Sequence, residues 1–437
     1  MFTVAADSRA QRALLTGSFL LFSSTVAFLF LKRKHHRQFL WRQRLTYKKL
    51  SKSSDLGASF GLDIGGTLAK IVYFERHETG NDKRKRPRSP SLDVAAGEMN
   101  NFLREHQSFG STGVQDVRLR TYSKTLNGVF YFVRFDSNRT REAVEFIAKN
   151  GINQSLRILP CTGGGAHKYG PAFNEIAGIE LEKYDEINCT ILGLHLLLTT
   201  LSDEMYTFEV VDFDLLAASR PKTIPLDANE SVYPYLLVSI GSGVSVLYVK
   251  GSEDYERVSG SSIGGGTYWG LCRLLTHCES YDEALDLCVH GSSESVDMSV
   301  GDIYGGAYDK FKLPASTVAS SFGKMISVCR ESVSDADLAR SLLVMVTQNI
   351  GQVAFLNATL YKTKNIFFVG NFLRHNKISA RTLAYAINFW SNGAMEARFC
   401  KHEGYLGALG AFLRHAEVTN AHGEEFVSAS RGSRPLS

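Results

Sequence analysis

Two glycine turns of the same construction, one in each half of the chain, constrain its fold more than any other feature. Asp63-Ile64-Gly65-Gly66-Thr67 ends one strand-like run and begins another, and Ser239-Ile240-Gly241-Ser242-Gly243 lies between the apolar runs 235–238 and 244–249. Glycine lets the backbone turn tightly and bring its N–H groups against an anion. Hydroxyls at Thr67, Ser242 and Ser245 add donors. Asp63 is placed to hold a magnesium ion through water, since Mg²⁺ keeps much of its hydration. Either turn alone reads equally well as a plain hairpin turn. Two of them, one per half, fit two lobes closing on one polyphosphate. A P-loop is excluded, because no Gly-x-x-x-x-Gly-Lys-Ser/Thr occurs.

The surrounding pattern predicts a mixed-sheet α/β fold. Strand patterns at 60–63, 68–74, 117–122, 128–135, 157–160, 235–240, 244–250 and 365–369 mix with helical patterns at 141–150, 185–202, 268–277, 281–290 and 335–360. At 437 residues the chain accommodates two lobes. The first, 53–230, carries the first glycine turn; the second, 231–416, carries the second turn. Residues 417–437 form a polar tail expected to be disordered.

Residues 1–52 differ in character. The run 14–31 is apolar and uncharged, at the lower limit of about 18 residues for a bilayer-spanning helix. The basic cluster at 32–52 outweighs Arg9 and Arg12, so the positive-inside tendency keeps the C-terminal body cytoplasmic. The anchoring membrane would be the mitochondrial outer membrane or the endoplasmic reticulum. A cleaved mitochondrial targeting segment is the other reading, because 8–52 holds many arginines and no acid.

The net charge of +5 comes from 32–52 and the basic run 83–88, and the remainder is mildly acidic. That excludes a broad nucleic-acid-binding surface. The seven cysteines are scattered and contain no Cys-x-x-Cys pair. Such usage implies buried cytosolic thiols, with neither a disulfide framework nor a zinc site.

The two glycine turns match the phosphate loops of the actin and sugar-kinase superfamily. Phe368-Val369-Gly370-Asn371 resembles its adenosine motif, in which a strand ends in a glycine that admits the nucleotide. From 60 to 412 the chain resembles the eukaryotic-type (type II) pantothenate kinases. The blocks that carry this include Thr162-Gly163-Gly164-Gly165-Ala166, Tyr184-Asp185-Glu186, the run 257–267, Asp302-Ile303-Tyr304-Gly305-Gly306, the run 318–323, Phe372-Leu373-Arg374 and His402-Glu403-Gly404-Tyr405.

The resemblance implies a two-lobed actin-like ATPase (ribonuclease H-like) fold with the nucleotide in the interlobe cleft. It also implies phosphorylation of the terminal hydroxyl of pantothenate by Mg·ATP. Glu186 aligns with the general base and Arg257 with the arginine near the transferring phosphoryl group. Ser242, Ser245 and Arg257 match substrate contacts. Gly65, Gly66, Thr67, Lys70, Gly241, Ser242, Gly243, Gly370 and Asn371 match the ATP site. A homodimer inhibited by coenzyme A or its acyl thioesters is further implied. Some relatives have lost the catalytic glutamate and arginine, whereas this chain keeps both. It departs from the family at Asn188, where an acid is usual, and at His167, where an aromatic is usual. Two other readings stay open: a kinase of the same fold for another small alcohol such as an amino sugar, and a non-catalytic sensor of ATP and acyl-CoA.

Overall fold

A computed structural model describes residues 59–66, 68–77, 97, 101, 106–109, 113–124, 126–211, 218–225 and 232–416. The apolar run 14–31, Thr67, the basic run 83–88 and the tail 417–437 lie outside the described residues. No helix among the described residues is long and apolar enough to cross a membrane.

The first sheet comprises β1 (Phe60–Ile64), β2 (Leu68–Arg76), β3 (Ser108–Phe109), β4 (Gly113–Gln115), β5 (Thr121–Ser123), β6 (Gly128–Asp136), β7 (Ile158–Thr162) and β8 (Glu180–Lys183). Its order is β3-β4-β6-β2-β1-β7-β8, with β5 beside β6. The second sheet comprises β9 (Met205–Phe208), β10 (Pro221–Thr223), β11 (Tyr235–Ile240), β12 (Val244–Val249) and β13 (Tyr255–Ser261). After a separate two-stranded ribbon, β14 (Met298–Ser299) with β15 (Val318–Ser320), it is completed by β16 (Asn365–Val369) and β17 (Glu396–Cys400). Its order is β10-β9-β17-β16-β11-β12-β13.

Five strands of each half repeat one connectivity. In β6-β2-β1-β7-β8 the first three strands are antiparallel and the last two run parallel to β1. In β13-β12-β11-β16-β17 the same holds around β11. Each glycine turn therefore closes the first hairpin of its five-strand repeat. This is the two-lobed actin-like fold that the sequence motifs imply.

The helices are α1 (Thr140–Lys149), α2 (Gly165–Ala177), α3 (Glu186–Thr200), α4 (Gly265–Leu275), α5 (Tyr281–His290), α6 (Val300–Tyr304), α7 (Asp335–Leu360), α8 (Lys377–Trp390) and α9 (406–416). Helix α3 is apolar on almost every side, with Cys189, Ile191, Leu192, Leu194, Leu196 and Leu197 all buried. A helix of that kind must be covered all round. Here it lies with α9 between the two sheets. One cluster joins its leucines to Val72, Phe130 and Phe132 of the first sheet, to Leu237, Leu247 and Phe367 of the second, and to Leu409 and Phe412 of α9. A second core packs α1 and α2 on the outer face of the first sheet. A third packs α4, α5, α7 and α8 on the outer face of the second.

Several elements differ from the sequence pattern. Strands β9 and β10 belong to the second sheet through β9–β17 pairing, so the change of sheet falls ahead of residue 205 and not at 230. The expected strand at 117–122 is a 3-10 turn at Val117–Leu119 followed by β5. There the Leu119 carbonyl leaves the ladder to accept from His402 Nε2 at 2.8 Å. Helix α2, hidden in the sequence by three leading glycines and Pro171, is fully formed. All seven cysteines are free; six are buried as expected, while Cys329 is exposed.

Candidate active site

The first glycine turn, the candidate phosphate loop, spans a hairpin whose register pairs Ile64 with Ala69. Its closing bond runs from Gly65 N–H to Leu68 O at 3.0 Å. The second spans the β11–β12 hairpin, where Ile240 pairs with Val244 and Gly241 N–H donates to Gly243 O at 2.9 Å. Gly66, Ser242 and Gly243 are exposed at the loop tips, and their amides take no part in these closing bonds. The N-terminus of α4 is laid on the second loop, with Gly265 and Gly266 N–H groups donating to the Gly241 and Ser242 carbonyls, each at 2.9 Å.

Asp63, Lys70 and Glu186 come together beside the first loop. Asp63 sits at the end of β1 between glycines. A Cβ added at Gly163 or Gly407 would fall 2.6 or 2.7 Å from its carboxylate oxygens. Burial pushes the Asp63 pKa up, and the Lys70 ammonium opposes this. Register places Lys70 directly opposite Asp63 on β2, with the residue only 9% exposed. Glu186 is the first residue of α3. The Asp185 side chain caps that helix by accepting from Asn188 N–H at 2.7 Å. Burial raises the Glu186 pKa, Asp63 and Asp185 add to the rise, and Lys70 counters it.

Ser245 and Arg257 meet beside the second loop, where Arg257 Nε donates to Ser245 Oγ at 3.1 Å. A β-bulge makes this contact possible. Ser245 pairs with Gly260 and Val246 with Ser259, but Leu247 then pairs with Arg257, leaving Val258 as the extra residue. Because side chains alternate along a strand, the bulge turns Arg257 to the Ser245 face of the sheet. Arg257 remains exposed, and the charges acting on Glu186 are Asp63, Lys70 and Asp185. The two candidate catalytic groups are thus held by separate lobes, unpaired with each other.

The candidate adenosine motif, 368–371, lies at the end of β16. Gly370 has φ +109°, and a Cβ there would lie 2.4 Å from the Ile240 carbonyl oxygen, so only glycine allows this approach to the second loop. Asn371 Oδ1 and Arg374 Nε are buried without a hydrogen-bond partner among the described residues. A cavity of about 560 Å³ opens beyond this turn, lined among others by Asp282, Arg340, His375, Lys377 and Arg381. No group of three or more His, Cys, Asp or Glu able to ligate a metal occurs among the described residues.

Sequence reasoning assigned no role to Glu403. Its carboxyl is pushed up to about 7, chiefly by burial, with Glu204 adding to the rise and Lys70 among the groups that lower it. A Cβ on the adjacent Gly404 would come 3.9 Å from Lys70 Cε. The turn is held on both sides. His402 Nδ1 donates to Glu204 Oε2 at 2.7 Å with both side chains buried, and Tyr405 donates its hydroxyl to Asp116, which also pairs with Arg134 at 3.2 Å. Burial alone would lower the His402 pKa, but the Glu204 bond and charge outweigh it and raise it. The only sequence signal was the charge inside the block 402–405.

The raised Glu403 pKa gives a stability prediction with a definite sign. Below the usual 4.5 the group is protonated in both states; between 4.5 and about 7 the unfolded state ionises while the folded state keeps its proton, so the cost to stability grows with pH, and above about 7 the full cost applies. Glu403→Gln should therefore raise the melting temperature of the ligand-free protein at pH 8 relative to its effect at pH 5. Equal shifts at both pH values in thermal unfolding would contradict the assignment.

The Fumble family matches residues 59–414. Pantothenate kinase 2 of Arabidopsis thaliana is 40% identical over 385 residues, which is 84% of this chain and 39% of that protein. Pantothenate kinase 1 of Arabidopsis thaliana is 39% identical over 373 residues, covering 82% of this chain and 86% of that protein. The 4'-phosphopantetheine phosphatase of Mus musculus is 35% identical over 375 residues, 85% of this chain and 43% of that protein. The chain thus spans about two fifths of the length of the longer relatives it matches. With nearly the whole folded body matched, the chain belongs to the Fumble family, that of the type II pantothenate kinases.

Proposed function

We propose that this protein is a pantothenate kinase, transferring the γ-phosphoryl group of ATP to the terminal hydroxyl of pantothenate to give 4'-phosphopantothenate. The observation that carries the reading is the grouping of Glu186 with Asp63 and Lys70 on one lobe and of Arg257 with Ser245 on the other, each group beside its own phosphate loop. Glu186 stands at a helix N-terminus, placed to accept the proton of an attacking alcohol. Phosphoryl transfer asks mainly for positioning and charge stabilisation, so a carboxylate is an adequate base. Arg257 supplies a fixed positive charge for the transferring group, and Ser242 and Ser245 supply hydroxyls to the acceptor.

A magnesium ion fits the donor set. Asp63, Glu186 and Glu403 share the single ammonium of Lys70, which leaves the site short of positive charge. Asp63 would hold the ion through water. When bound, the ion neutralises charge on the phosphates. The cavity that opens past the Asn371 turn, lined by His375, Lys377 and Arg381 among others, is the space offered to the nucleotide base. The family resemblance supports feedback inhibition by coenzyme A or its thioesters and a homodimer. The apolar run 14–31 and its basic flank support membrane attachment with a cytoplasmic catalytic body.

ATP-dependent phosphorylation of labelled pantothenate by the full chain, with and without acetyl-CoA, tests the reading. Labelled 4'-phosphopantothenate should form, and the thioester should suppress it. Turnover of N-acetylhexosamines in place of pantothenate would give the site to another small alcohol. ATP binding with no product from either would give it to a sensor.

A further inference from the structure

Helix α9 reaches across from the second half of the chain and ends against the segment that presents Glu186. On its last turn His415 is 2% exposed. Its Nδ1 donates to the Glu182 carboxylate and lies 3.4 Å from the Tyr184 hydroxyl. The same carboxylate stands close enough to Tyr184 to help raise its pKa, after burial. The Tyr184 backbone is fixed at both ends as well: its N–H donates to Cys161 O at 2.8 Å, and its carbonyl accepts from Thr162 Oγ1 at 2.9 Å. Asp185, the helix cap, and Glu186 follow at once. Five covalently consecutive residues, 182–186, thus run from a carboxylate held by α9 to the candidate base.

From this geometry we infer that His415 is a positioning residue: through Glu182 and Tyr184 it holds the turn that orients Glu186 toward its substrate. The inference rests on the kinase reading for its kinetic test. The physical reason is steric economy. The phosphate loops and Lys70 are fixed by sheet hydrogen bonds, but Glu186 stands at the first position of a helix, where the backbone is the least constrained. Its approach is set by the β7–β8 pairing before it, the Tyr184 contacts, the cap at Asp185 and the Thr190 Oγ1 bond to the Glu186 carbonyl at 2.8 Å. A displacement of about 1 Å at a catalytic group can cost on the order of 10²-fold in rate. The contacts of His415 with Glu182 and Tyr184 lie on the Glu186 side, so its loss should act on the chemical step and spare nucleotide binding.

The test compares His415→Leu, His415→Asn and Tyr184→Phe in the full chain. Asn keeps a side-chain N–H near the place of Nδ1, whereas Leu keeps only bulk. His415→Leu should lower kcat about 10-fold while KM for ATP changes less than about 2-fold. His415→Asn should recover most of the loss. Tyr184→Phe removes one hydroxyl and little packing, so it keeps the test informative if His415→Leu does not fold; it too should lower kcat several-fold at unchanged KM for ATP. Amide hydrogen exchange of 184–189 should accelerate in His415→Leu, a readout that needs no activity. Unchanged kcat in folded His415→Leu and in Tyr184→Phe overturns the inference. So does an Asn variant no better than Leu with kcat, KM and melting temperature all altered, the pattern of a merely structural contact. A wild-type protein that phosphorylates nothing counts against the kinase reading instead, and exchange at 184–189 then decides this inference alone, unchanged protection overturning it.

Discussion

Replacing Glu186 with Gln should lower turnover by at least about 10²-fold, the scale expected when a general base is removed. The change keeps the size of the side chain and the Asp185 cap, so the fold and ATP binding should persist. Burial and the neighbouring acids already raise the Glu186 pKa. The sign follows: a base works only when ionised, so wild-type activity should fall as pH drops through that raised value. The residual activity of the Gln variant should lack this acid limb. Arg257→Ala should cost at least about 10²-fold as well, because it removes the fixed charge at the transferring phosphoryl group. Arg257→Lys should not restore it fully, since a lysine ammonium cannot reproduce the guanidinium that reaches Ser245 along the bulged strand. Steady-state kinetics with separate measurement of ATP affinity checks all three. Full activity in both Glu186→Gln and Arg257→Ala would sink the assignment of the site.

The second large effect concerns the crossing of α3 and α9. A Cβ added at Gly410 would lie 1.8 Å from the Cys189 carbonyl oxygen and 2.4 Å from its Cα; at Gly193 it would lie 2.0 Å from the Leu406 carbonyl oxygen. Both clashes are with backbone, which cannot rotate away as a side chain can. The two helices therefore have to separate, and they form the layer on which both sheets pack. Overpacking costs about 1–3 kcal/mol where side chains adjust, and occasionally more. Gly410→Ala should fall at or above the upper end, about 3 kcal/mol, which lowers the melting temperature by about 3–4 °C in a protein of this size. Gly270→Ala is the control. It lies inside α4 with nothing within 4 Å of its Cβ position, so it should be neutral or stabilising by about 0.5–1 kcal/mol. Equal melting temperatures for the two variants would show that the helices do not cross as closely as described.

The parts of this protein that could be read from its sequence are those fixed by neighbours in the chain. The two phosphate turns are hairpin tips, so Gly65, Gly66, Gly241 and Gly243 announced them wherever the hairpins packed. Helix α3 carried its own cap in Asp185 and its own apolar surface, so the position of Glu186 at its start was legible too. What the sequence left open depends on residues brought together from far apart. Arg257 faces Ser245 only because a bulge at Val258 flips its side chain across the sheet, and bulges are set by the pairing partner. Lys70 was legible beside the first loop, but that it is shared by Glu403 required the turn 402–405 to be pinned to Glu204 and Asp116. The strands β9 and β10 join the second sheet because β17 offers them an edge. The α3–α9 crossing needs two glycines at Gly193 and Gly410, more than 200 positions apart, whose meeting no local pattern encodes. Local backbone chemistry determined the loops and the helix ends; long-range packing decided which charged groups share one site.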